Sequence, residues 1–119
     1  MARSLAGLIL VLLAACERPL PEHEPLTAGN ARQGRELIRH YGCGSCHLIA
    51  GVPGANASIG PPLENLAHRV YVAGRLANTP QNLVRWIRDP RAIDPQTAMP
   101  AVGLDEAGAR DIAAYLYTR

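Results

Sequence analysis

The chain has 119 residues, of which 48% are hydrophobic but only 4% aromatic, with no Phe and a single Trp. That length allows one small domain and little beyond it. The 12 basic residues, all Arg, face 10 acidic ones for a formal charge of +2, too weak a balance to suggest a nucleic-acid partner.

Residues 1–15 hold Arg3 and then an unbroken small and apolar run from Leu5 to Ala15. The run is too short to span a bilayer comfortably as a helix and fits the hydrophobic region of a signal peptide. It ends Leu13-Ala14-Ala15-Cys16, which resembles a bacterial lipobox. The resemblance implies cleavage before Cys16 and a lipid on its thiol. Residues 17–26 are rich in Pro and charge, cannot form a helix, and read as an extended tether in which His23 is simply solvated. A globular domain is expected over 27–119.

Within that domain Gly34, Leu37, Ile38 and Tyr41 recur at helical spacing, with Asn30 or Thr27 as the cap. This helix runs into Cys43-Gly44-Ser45-Cys46-His47. Leu48 to Leu63 is loop, with six Gly and Pro between Gly51 and Pro62. Thr79-Pro80 announces a second helix, carrying Leu83, Val84, Trp86 and Ile87, that stops before Pro90. A third follows Asp105 to the C-terminus, with Ala109, Ile112, Ala113 and Leu116 as its stripe. No segment alternates with period two for long enough to predict a strand. The expected class is all-α, three main helices with long loops.

Two thiols three apart on one turn, followed at once by a histidine, form a c-type haem attachment signature. The thiols add across the two vinyl groups of one porphyrin, and the histidine then lies under the iron. A redox Cys-x-x-Cys would want a βαβ setting, and a four-ligand zinc site a second Cys/His pair. Neither is present. With Cys43 and Cys46 given to haem and Cys16 to lipid, all three cysteines are assigned without a disulfide. A porphyrin would also supply the apolar bulk that so few large side chains leave missing.

A low-spin haem needs a sixth ligand. Met99 is the only methionine beyond the leader, and it lies in a Pro-rich loop, not on an apolar helix face. His40, on the entering helix, is poorly placed for the opposite face of the haem; His68 is the remaining rival. The other ring nitrogen of His47 needs an acceptor, which the rigid Gly60-Pro61-Pro62-Leu63 turn can offer as a backbone carbonyl. Arg69, Tyr71, Arg75 and Asn78 are candidate donors to the propionates.

Taken together, these pieces resemble a class I mono-haem cytochrome c over nearly all of residues 28–119. The matching pieces are Gly34-x-x-Leu37-Ile38, Cys43-x-x-Cys46-His47, Gly60-Pro61-x-Leu63, Trp86-Ile87-x-x-Pro90, Thr97-x-Met99-Pro100 and Ile112-Ala113-Ala114-Tyr115-Leu116. The resemblance implies a cytochrome c fold wrapped around one covalent haem, with Cys43 and Cys46 as thioether links. It makes His47 the proximal ligand and Met99 the distal one. Pro61 would supply the carbonyl that orients His47, Arg69 and Tyr71 would serve the propionates, and Trp86 would pack on the haem near the methionine. First and last helices cross in that family; here Gly34 would let Leu37 and Ile38 approach Ile112 and Leu116.

The sequence is similar to cytochrome c domains that feed or are fused to terminal oxidases. The function expected is a lipid-anchored electron carrier at the extracytoplasmic or periplasmic face of a bacterial membrane. Its partner would be a terminal oxidase or another respiratory complex. The alternatives are a peroxidase-like catalytic haem protein and a thiol oxidoreductase using Cys43 and Cys46. The chain departs from the family in having no lysines at all. Docking is therefore expected through small apolar segments, Ala50 to Pro53 and Pro100 to Gly103, near the exposed haem edge.

Overall fold

The computed structural model describes residues 18–119. The leader and Cys16 lie outside the described residues. Helix α1 spans Ala31–His40, and Asn30 caps it, its Oδ1 accepting from the Gln33 amide at 3.0 Å. Thr27, the other cap candidate, instead donates its hydroxyl to Glu24. At Gly42 the chain turns out of the helix with φ +70°, a left-handed conformation that costs glycine nothing. One short 3₁₀ turn, Cys43–Ser45, follows.

The last helix is Glu106–Tyr117, capped by Asp105, whose Oδ1 accepts from the Gly108 amide at 2.7 Å. Its stripe of Ala109, Ile112, Ala113 and Leu116 is buried, as is Ile38 of α1. Burying each of the larger aliphatic side chains contributes about 1.5–3 kcal/mol. The two helices meet at backbone distance because Gly34 has no side chain. A Cβ there would lie 2.5 Å from the Asp111 carbonyl carbon and 2.9 Å from the Ile112 nitrogen. The crossing is locked again where Asp111 Oδ1 accepts from the Asn30 amide at 2.7 Å.

Helix α2 spans Pro80–Arg88, its Thr79 cap accepting from the Asn82 amide at 3.1 Å. Leu83, Val84 and Ile87 are buried while Trp86 is half-exposed. Pro90 ends α2 by lacking an N–H, and its fixed φ then starts a further turn, α3, over Pro90–Ile93, which Asp89 caps. With the final helix as α4, the described residues carry four helices where three were expected. They also carry a small antiparallel ribbon, β1 (Tyr71–Val72) and β2 (Leu76–Ala77), paired Tyr71 with Ala77 and Val72 with Leu76. Ala73 and Gly74, both at positive φ, make its two tightest positions. Strands of two residues show no alternation, so the pattern gave no sign of them. Among the described residues no helix is long and apolar enough to cross a membrane.

The segment expected to be a tether is docked from Leu20 onward. Leu20 packs against the core, and the Pro21 carbonyl accepts from the Ala31 amide at 2.9 Å. Glu24, only 6% exposed, accepts from the amides of Leu26 and Thr27 and from the Thr27 hydroxyl. Proline rules out a helix here without ruling out a turn, and the Glu24 carboxylate closes that turn.

Candidate haem attachment site

The attachment turn leaves α1 at Gly42 and is pinned by its own backbone. The Cys43 carbonyl accepts from the amides of Cys46 and His47 at 3.2 and 3.1 Å. Both thiols are free and half-buried. Burial pushes the Cys43 thiol above its ordinary range; a backbone hydrogen bond draws it back in part, and the neighbouring Cys46 adds to the rise. That direction is wrong for a redox nucleophile, which works as a thiolate.

His47 Nδ1 stands 2.7 Å from the Pro61 carbonyl oxygen. A carbonyl only accepts, so Nδ1 is the donor, and in the neutral imidazole that leaves the lone pair on Nε2. Gly60 lies against the same ring: a Cβ there would come within 2.7 Å of Nδ1 and 3.0 Å of Nε2. The loop bearing Gly60 and Pro61 is tied back by its own amides, Gly60 to the Cys46 carbonyl at 2.7 Å and Leu63 to the Leu48 carbonyl at 2.9 Å. Between these two bonds stand Pro61 and Pro62, which have no N–H to give.

Met99 is half-buried in the loop between α3 and α4. That loop has its own order. Asp94 Oδ1 accepts from the Gln96 amide and the Asp94 carbonyl from the Thr97 amide, both at 3.1 Å. Thr97 Oγ1 then accepts from the Met99 amide at 3.2 Å. Arg75, next to β2, reaches Asp94 at 3.6 Å and so joins the ribbon to the methionine loop.

The other expected residues have partners of their own or stand exposed. Arg69 is half-buried, and its Nη2 donates to the backbone carbonyls of Pro62 and Glu64. Asn78 donates to the carbonyls of Leu66 and Arg69, both at 2.8 Å. Tyr71 stands out on the ribbon, 63% exposed. His40 is exposed at the end of α1, its ring edge-on to Tyr41, and His68 is exposed on a 3₁₀ turn, Leu66–His68.

In the first of the two expected docking segments Gly51 and Pro53 are exposed, but its one larger apolar side chain is not. Val52 is only 7% exposed, because the turn from Ile49 to Ala55 folds it inward. In the second, Pro100, Ala101 and Gly103 are exposed while Val102 is half-buried. Ile59, next to Gly60, is 79% exposed, which no periodicity in the sequence indicates. Its place in a Gly/Pro-rich loop was the only available signal.

The donor set fits haem c. Two free thiols sit at the required spacing, an imidazole has one nitrogen tied and the other free, and a thioether side chain lies in an ordered loop. The comparisons agree. The family model described as cytochrome c matches residues 31–119. Cytochrome c oxidase subunit 2 of Alkalihalophilus pseudofirmus is 34% identical over 96 residues, which is 80% of this chain and 27% of that protein. The subunit of the same name from Bacillus subtilis is 32% identical over 71 residues, covering 58% of this chain and 20% of the relative. That of Bacillus sp. strain PS3 is 31% identical over 71 residues, with the same coverage. The chain thus matches a minor part of each of these relatives. It belongs to the cytochrome c family, as a class I c-type cytochrome with covalently bound haem.

Proposed function

We propose that the protein is a membrane-anchored single-haem electron carrier that passes electrons one at a time to a terminal oxidase or another respiratory complex. The observation that carries this reading is the bond from His47 Nδ1–H to the Pro61 carbonyl, beside two free thiols. In this reading Cys43 and Cys46 would hold the haem through thioether links, and His47, through Nε2, and Met99, through its sulfur, would hold the iron. When bound, the haem supplies a ferrous/ferric couple whose potential His/Met ligation raises above that of bis-His ligation.

The chain orients the ligands. Pro61 holds the His47 tautomer, and Thr97 fixes the backbone of Met99. Trp86, on the half-exposed side of α2, packs on the ring. Arg69, through donors other than Nη2, and Tyr71 serve the propionates. With Met99 as well as His47 holding the iron, a peroxide would have to displace the methionine, which opposes a peroxidase-like activity.

Cys16 carries the lipid in this reading, and the domain stands at the extracytoplasmic or periplasmic face. Leu20, where docking begins, is four residues from Cys16, a reach of about 14 Å at most. So short a leash confines the domain near the bilayer and raises its effective concentration for a membrane-bound partner. Similarity to part of an oxidase subunit supports an oxidase as that partner. The test is oxidation of the reduced holoprotein by a purified cytochrome c oxidase, together with cell fractionation. Rapid reoxidation, membrane recovery of the wild type and release of Cys16→Ser support the reading. A holoprotein that the oxidase leaves reduced rejects the proposed partner, and a wholly soluble wild type rejects the anchor.

A further inference from the structure

Pro61 and Pro62 give the loop beside His47 an unusual weakness. Neither can donate an amide, so between the bonds of Gly60 and Leu63 the loop is fixed only where side chains reach its carbonyls. His47 takes the Pro61 carbonyl. Arg69 takes the next one, its Nη2 donating to the carbonyls of both Pro62 and Glu64. Arg69 is itself held. Its carbonyl and that of Leu66 accept from Asn78, and Asn78 Oδ1 accepts from the Tyr117 hydroxyl of α4 at 2.7 Å.

We infer that Arg69 is a positioning residue for His47: by bridging the Pro62 and Glu64 carbonyls it keeps the Pro61 carbonyl against the imidazole, and Asn78 and Tyr117 anchor that bridge to α4. The role is geometric and separate from any charge it presents to a propionate. It rests on the reading of His47 as proximal ligand. A carbonyl held at hydrogen-bond distance keeps the proton on Nδ1 and raises the basicity of the ligand. If the loop is loosened, both effects weaken.

The test is NMR of reduced holoprotein labelled with ¹⁵N-histidine, together with the reduction potential. Arg69→Lys keeps the charge but loses the planar fork that spans two carbonyls. It should speed solvent exchange of the His47 Nδ1–H by about tenfold, the scale of losing one well-made hydrogen bond, and raise the potential. Exchange at the wild-type rate in Arg69→Lys would overturn the inference and leave Arg69 acting by charge alone. Asn78→Ala, which cuts the anchor and not the bridge, should give a smaller acceleration of about threefold. If Arg69→Lys does not load haem, Asn78→Ala decides, and unchanged exchange there overturns the inference. Wild-type His47 resonances without a haem ring-current shift would instead refute the ligand assignment itself.

Discussion

Replacing Gly60 by alanine puts one methyl group between the proline loop and the His47 ring. The added Cβ would sit 2.7 Å from Nδ1 and 3.0 Å from Nε2. Cε1 of the ring would be nearer still, and non-bonded contacts of this kind begin near 3.5 Å, so the ring or the loop must retreat by about 1 Å. A movement of that size stretches the 2.7 Å bond to the Pro61 carbonyl past roughly 3.5 Å, beyond useful hydrogen bonding. Losing that bond costs about 1 kcal/mol and the overpacking about 1–3 kcal/mol, so the holoprotein should lose roughly 2–4 kcal/mol. Gly60 is not at positive φ, so no backbone strain enters. Gly103→Ala is the matched control: φ is +81° with open space around the Cβ, and only a backbone cost of about 1–2 kcal/mol applies. The assay is urea unfolding followed in the Soret band, with the visible spectrum recorded alongside. Gly60→Ala should alter both stability and spectrum, and Gly103→Ala stability alone. A Gly60→Ala protein with the wild-type spectrum and a stability within about 0.5 kcal/mol of wild type would refute the reasoning.

Gly34→Ala should cost about 3 kcal/mol in thermal unfolding, because the methyl group meets the Asp111 and Ile112 backbone across the helix crossing; a neutral effect would show that the helices can separate freely. Val52→Asp should act as a folding lesion of roughly 3 kcal/mol, since it buries a charge. A fully stable Val52→Asp that is oxidised slowly by its partner would return Val52 to the docking surface. Tyr115→Phe should lose about 1–2 kcal/mol in urea, as its hydroxyl donates to the Ala50 carbonyl at 2.7 Å and no other group replaces it. An unchanged midpoint would mean that water serves that carbonyl equally well.

Wherever one periodic stripe or one cap decides an element, the sequence was enough to see it. Asn30, Thr79 and Asp105 cap the three helices where local rules place caps, and the Gly34 crossing follows from a missing side chain on an apolar face. The attachment pentapeptide was legible because chemistry and spacing specify it together, whereas the turn over residues 60–63 offered several carbonyls and only the family resemblance singled out that of Pro61. What escaped depends on contacts distant in sequence or on elements too short to have a period. Pro90 reads as a stop signal, yet the same ring geometry starts α3. Residues 20–26 read as extended because proline forbids a helix, but their docking is decided by core contacts and by Glu24. Val52 looks like any small apolar loop residue until the Ile49–Ala55 turn directs it inward. The charge of Arg69 suggests a carboxylate partner, and only the folded loop brings together the two carbonyls that it spans.

The central claim is that His47 and Met99 together ligate one haem iron and make the protein an electron carrier. Its most direct test is the visible spectrum of the ferric holoprotein, in wild type and in Met99→Ala. Methionine sulfur on ferric iron produces a weak far-red charge-transfer band. The band should be present in wild type and absent in Met99→Ala, and the reduced variant alone should bind carbon monoxide. A band that survives in Met99→Ala, or a wild type that binds carbon monoxide as readily as the variant, would contradict the assignment.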